Sequence, residues 1–271
     1  MQNRERRHHD PGSAGLNPFD NIFSLSGKTA LVAGASRGIG LSIVQALAAA
    51  GSNTILAARS MDKLEATAKQ LPNSLALHLH VTSSGSIRAA AEAAGDVDIL
   101  VNVSGTNVRK RFGDFTREEY ERILQTNLHG IVELTQLIGA KMIRRGQGGK
   151  IINIGSMMSL LGLPYIAVYA ISKGGLGQLT KALAAEWGQY NIQVNCIAPG
   201  FILTDLNRAM WQLPEMEKWL KHAQANPRMG RPEDVAPLAA FLAGRGADYI
   251  TGQIIPVDGG YSTTAVWPFE P

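Results

Sequence analysis

One cysteine in 271 residues leaves nothing from which to build an internal disulfide or a multi-cysteine metal site. That residue, Cys196, lies in an apolar run and reads as a packed core thiol, not a nucleophile. Aromatic residues make up only 6% of the chain, so its core has to close on small and aliphatic side chains. No apolar run reaches the roughly 18 residues needed to cross a bilayer, and no secretory leader is visible. The expected setting is the cytoplasm, with no membrane partner. Charge of one sign is scarce as well: the net charge is +4, and part of it sits in Arg4, Arg6 and Arg7. The rest is near neutral, which gives no footprint for nucleic acid. Residues 1–20 are polar and read as a disordered tail. His8 and His9 there have no fixed geometry for a metal ion, and no metal site is expected.

Small and aliphatic residues are abundant. The chain is 45% hydrophobic and holds 29 glycines, as expected where helices pack tightly on a parallel sheet. Residues 21–271 read as a single domain. Predicted strands at 28–33, 53–57, 74–81, 98–103, 150–154, 192–197 and 253–257 alternate with helical stretches. That alternation predicts a doubly wound α/β (Rossmann) domain, about seven parallel strands with helices on both faces. Thr116 with Glu119 three residues on predicts a capping box at the start of a long helical region. A second long helical region runs from Pro164 to about Trp187. The mixed stretch 203–225 reads as a covering segment.

The stretch 30–51, ALVAGASRGIGLSIVQALAAAG, organises the rest. It opens as a strand, turns through Gly34, Gly38 and Gly40, and continues as a helix. Backbone N–H groups and the helix dipole then face an anion, and glycine lets the chain come close. Ligands of such sheets bind beyond the carboxyl ends of the strands. Chemistry-bearing residues cluster at those ends: Asn102 and Gly105 after the fourth strand, Ser156 after the fifth, and Pro199, Gly200 and Thr204 after the sixth. Tyr169 and Lys173 lie four apart on a predicted helix and share a face. An exposed helical pair is one reading of them. Their small, apolar surroundings, AVYAISKGG, suit a buried helix better.

Taken in order, GASRGIG at 34–40, NVSG at 102–105, TN at 126–127, INIGS at 152–156, YAISK at 169–173, APG at 198–200 and GQIIPVDGG at 252–260 resemble the short-chain dehydrogenase/reductase superfamily. The serine stands 13 residues before the tyrosine, as that family requires. The resemblance implies hydride transfer between a nicotinamide and a ketone or secondary alcohol. It implies Tyr169 as acid/base, Lys173 as its electrostatic partner and ribose ligand, Ser156 on the substrate oxygen, and Asn127 supporting a water-linked proton path. It implies cofactor contacts from Gly34, Ser36, Arg37, Gly38, Ile39, Gly40, Arg59, His80, Val81, Asn102, Gly105, Tyr169, Lys173, Pro199, Gly200, Ile202 and Thr204. It also implies a homotetramer. A lysine charge about 4 Å from the phenol, at an effective dielectric near 20, would supply the roughly 4 kcal/mol that brings a tyrosine towards neutral pH.

Where many dinucleotide sites carry an acid after the second strand, this chain has Ala58, followed by Arg59; Arg37 lies within the glycine loop. Two guanidiniums and no carboxylate favour NADP(H) over NAD(H). Ala33, Val103, Ser104 and His80 depart from the family pattern, His80 where an aspartate usually touches adenine. Arg109, Lys110 and Arg111 read either as a solvated charge run or as the source of one contact to an anionic substrate. With NPFDNIFSLSGK, AAEWGQYNIQVN and PEMEKWL, their segment resembles gluconate 5-dehydrogenase and related sugar-acid dehydrogenases. Relatives acting on 3-oxoacyl thioesters or cyclic and secondary alcohols keep the substrate open. Trp211 and Trp219 are expected in a lid, and the end VWPFEP either closes a pocket or packs in the core.

Overall fold

The computed structural model describes residues 21–204, 207–211 and 213–264. The two ends of the chain, including His8, His9 and VWPFEP, lie outside the described residues. The elements run β1 (Thr29–Ala33), α1 (Gly38–Ala49), β2 (Asn53–Ala58), α2 (Met61–Ala68), β3 (Ser74–His78), α3 (Ser84–Ala93), β4 (Ile99–Asn102) and α4 (Arg117–Leu124). They continue with α5 (Gly130–Arg145), β5 (Gly149–Ile154), α6 (Ala167–Trp187), β6 (Ile192–Pro199), α7 (Arg208–Trp211), α8 (Pro214–Ala223), α9 (Pro232–Ala243) and β7 (Ile254–Val257).

All strand pairs are parallel, in the order β3-β2-β1-β4-β5-β6-β7. The order reverses between β1 and β4, which opens a crevice beyond their carboxyl ends. The five inner strands are largely buried on both faces, and alternate residues feed two cores. Ala30, Val32, Leu56, Val101 and Ile152 pack under α1 and α9; Leu31, Ala33, Ile55, Leu100 and Ile151 pack under α3, α5 and α6. Cys196 is fully buried on β6, and burial pushes its thiol pKa up, in keeping with a core residue.

Two predicted strands end early, β3 at His78 and β4 at Asn102. Beyond those points the regular ladder ends, although Leu79 N still donates to Ala58 O and Val103 N to Ala33 O, and the chain goes on to line the crevice. The capping box forms: Glu119 N donates to Thr116 Oγ1 at 3.2 Å and Thr116 N to Glu119 Oε2 at 3.0 Å. The long helical region it opens is not uniform. A π turn at Gln125–His129 separates α4 from α5, and such wide turns are a known way to redirect a side chain within a helix. The second long region begins at Ala167, three residues after Pro164.

Candidate active site

The crevice is a cleft of about 1240 Å³. One end is formed by the loop from β1 to α1. Gly34 there has φ +102, and a methyl group in its place would sit 2.8 Å from Ser104 N. The β4 end comes this close because Val103 N and Ser104 N both donate to Ala33 O, at 2.8 and 3.0 Å. A methyl at Gly40 would overlap Gly34 O, so the helix N-terminus can press on the turn only with glycine at that position. Arg37, Arg59 and Lys63 line this end, along with Ala58. Lys63, in the first turn of α2, follows Arg59 by four residues and was not anticipated from the sequence. Among the described residues lining the cleft there is no carboxylate. The glycine cradle, the free helix end and three cations fit a dinucleotide that carries an extra phosphate.

Towards the middle, His80 and Val81 line one wall, and Thr82 Oγ1 lies 2.9 Å from His80 Nδ1. Ser36, Gly38, Ile39, Gly105, Pro199, Gly200, Ile202 and Thr204 complete the predicted lining. Asn102 is a correction. Its side chain is fully buried behind the cleft, where Nδ2 donates to Asn153 Oδ1 at 2.9 Å and Thr135 Oγ1 at 3.0 Å. Its place at the end of β4 turns it towards α5, and the cleft lining starts one residue later at Val103.

Ser156, Tyr169 and Lys173 converge on the cleft floor. Ser156 lies two residues beyond β5; its hydroxyl accepts from Met158 N at 3.2 Å and lies beside the Tyr169 phenol. Lys173, one turn on, is almost wholly buried and donates to Ile154 O at 2.7 Å. Ser159 ties these elements together, its hydroxyl donating to Lys173 O at 2.8 Å. Asn127 lies behind the floor. The π turn aims it at Thr106, whose N donates to Asn127 Oδ1 at 2.7 Å and whose carbonyl accepts from Nδ2 at 2.8 Å. Nδ2 also reaches Ser172 Oγ at 3.1 Å. A methyl at Gly105 would meet both Lys173 Nζ and Asn127 Oδ1, at 3.6 and 3.7 Å, so only a glycine separates the amide from the ammonium.

The lowered tyrosine pKa expected from a nearby lysine is not found in the protein alone. Burial holds Tyr169 above its ordinary value, opposed by the Ser156 hydrogen bond. The Lys173 ammonium lies 5.8 Å from the ring centroid and is itself pushed down to about 8 by burial. Desolvation is the largest influence on both groups and disfavours both charged forms.

The other end of the cleft is built from side chains. Met157, Met158, Leu163, Ile166, Phe201 and Trp211 line it and pack together beside Tyr169. Phe201 gathers Trp211, Trp219 and Tyr261 at centroid distances of 5.1, 5.2 and 4.9 Å, which anchors α7 and α8 over the site. Of the three basic residues after β4, Arg109 alone lines the cleft. Lys110 is committed to Glu119 at 2.8 Å, and its backbone N donates to Tyr165 O at 3.0 Å. Arg122, also on the lining, was not anticipated.

The comparisons agree with this arrangement. The family model described as enoyl-(acyl carrier protein) reductase matches residues 34–262. Gluconate 5-dehydrogenase of Gluconobacter oxydans is 34% identical over 253 residues, covering 90% of this chain and 98% of that protein. 2-Dehydro-3-deoxy-D-gluconate 5-dehydrogenase of Bacillus subtilis is 39% identical, covering 89% and 97%. The crystal structure of a gluconate 5-dehydrogenase from Burkholderia cenocepacia, in complex with NADP and tartrate, superposes with a TM-score of 0.86 at 34% identity, covering 90% of this chain and 98% of that one. With a family model matching most of the chain and relatives and folds alike along nine-tenths of it, the chain belongs to the short-chain dehydrogenase/reductase family, oxidoreductases acting on secondary alcohols and ketones.

Proposed function

We propose that the protein is an NADP(H)-dependent oxidoreductase that interconverts a keto and a hydroxy acid of the sugar-acid class. One observation carries the reaction: Ser156, Tyr169 and Lys173 share one floor, at the inner end of a cleft whose outer end is a cationic glycine cradle. When bound, the dinucleotide supplies or accepts the hydride. Arg37, Arg59 and Lys63 would hold its extra phosphate, and the N-terminus of α1 its pyrophosphate. The related structure solved with NADP supports the same choice.

Ser156 would hold the substrate oxygen where charge develops. Tyr169, kept neutral by burial, stands ready to donate its proton to that oxygen in the reductive direction. Oxidation needs the phenolate, which Lys173 stabilises once a substrate and cofactor close the floor. Asn127 would fix the 105–106 backbone against Lys173 and support proton supply from behind. Arg109, on the lining, would meet the carboxylate. The names of two relatives, gluconate 5-dehydrogenase and its 3-deoxy counterpart, support the substrate class. The proposal includes residues 21–271 acting as one domain in a cytoplasmic homotetramer. Ile171, exposed on α6, supports a subunit contact there, and light scattering checks it.

The test is a spectrophotometric screen of NADPH oxidation and NADP reduction over sugar acids, 3-oxo esters and cyclic ketones, run beside Tyr169→Phe. Turnover of keto or hydroxy acids should drop about 10²- to 10⁴-fold in the variant, with cofactor affinity retained by fluorescence titration. Near-normal turnover by the variant would sink the assignment.

A further inference from the structure

The wall that continues from Tyr169 is apolar along its length. Met157, Met158, Leu163, Ile166, Phe201 and Trp211 line it and pack as one cluster. Polar side chains at this end are few. Asn207 has its amide engaged already: Oδ1 accepts from Thr204 N at 2.9 Å and Nδ2 donates to Ile202 O at 2.8 Å. Asn107 and Arg109 make one polar edge, on a segment that Lys110 N fastens to Tyr165 O at 3.0 Å. Ser104, Thr106, Arg122 and Thr126 also line the cleft, but from the loop after β4 and from α4 and its π turn, not from the segments that carry the apolar cluster; among the described residues no carboxylate lines it.

Such a site can satisfy a carboxylate on one edge and a reacting oxygen on the floor. It offers little to other hydroxyl groups. A hydroxyl withdrawn from water without a partner loses affinity, whereas a methylene against methionine and aromatic side chains gains it. We infer that the preferred substrate is a hydroxy or keto acid with an otherwise apolar body, a deoxygenated chain or a carbocyclic ring, in place of a fully hydroxylated sugar chain. The inference rests on the oxidoreductase reading of this same site and moves its substrate from the hydroxylated sugar acids towards less hydroxylated hydroxy acids.

The test uses the full chain with NADP and three acids of decreasing hydroxylation: D-gluconate, 3-deoxy-D-gluconate and 3-hydroxycyclohexanecarboxylate. NADPH formation gives kcat/KM, and calorimetric titration of the NADPH complex gives affinity independently of turnover. Both should improve in that order, with kcat/KM rising about tenfold at each step, equivalent to about 1.4 kcal/mol. Met158→Gln, which places an amide on the wall, should narrow the gap between the first and last acids. Equal or better use of D-gluconate by the unaltered protein would overturn this inference and leave the proposed function standing. Turnover of cyclohexanol but of none of the acids would overturn the hydroxy-acid reading itself.

Discussion

The two ends of the cleft are made of different material. The dinucleotide end is backbone: a turn at Gly34, a helix N-terminus at Gly38, and strand ends held by hydrogen bonds such as Gly34 N to Ala57 O at 2.7 Å. The substrate end is side chain: two methionines and an aromatic cluster carried by segments between strands and helices. The backbone of the first recognises groups that every dinucleotide shares and leaves little freedom, while Arg37, Arg59 and Lys63 on its rim add a choice between dinucleotides. The second recognises whatever its side chains happen to complement. Changes at the first end should therefore alter cofactor handling and stability, and changes at the second should alter substrate choice.

The sharpest way to break this contrast is through charge at the dinucleotide end. Arg37→Ala combined with Arg59→Ala should weaken NADP(H) binding by about two to four orders of magnitude, since charge-assisted hydrogen bonds are worth roughly 1.5–3 kcal/mol each. NAD(H) binding should barely change. Competitive titration checks this, and an equal loss for both cofactors would show that the arginines act on shared groups. Next in size, Gly34→Ala should destabilise the fold by about 1–3 kcal/mol, because alanine resists φ +102 and its methyl meets Ser104 N. Denaturant unfolding reads that loss, and cofactor affinity should fall with it.

A subtler effect comes from the floor that both ends share. Lys173 titrates near 8 when folded and near 10.5 when unfolded. Between those values the unfolded chain binds more protons, so this group makes stability rise with pH across that window. Below pH 8 its burial as an ammonium is a constant cost. Lys173→Met should remove that rise. Unfolding curves for both proteins at pH 7.5 and 9.5, without cofactor, would show whether their stability difference changes.

Much of the backbone end was legible in the chain. Glycine spacing, strand-to-helix order and the Ala58–Arg59 pair encode local geometry, and local geometry is what sequence carries most directly. The capping box at Thr116 was legible for the same reason. Asn102 was misread because a strand end offers two faces. Its neighbours Thr135 and Asn153, which claim its amide, lie 33 and 51 residues away. The phenol's environment was misread because a contact distance does not reveal desolvation. Arg122 and the apolar wall depend on how distant segments pack, and no short pattern announces that.

The π turn at Gln125–His129 has a consequence beyond aiming Asn127. It holds one residue more than a regular turn, and each residue turns a helix by about 100°. The phase of everything downstream is therefore set there. Leu134, Ile138 and Met142 pack into the core beneath the sheet in the phase that this extra residue sets. Losing a single amino acid before them would rotate the whole stripe out towards water. Asn127 apart, exchange of the segment's residues should cost less than a change in their number, so its length is as much a part of the design as any side chain on the cleft floor.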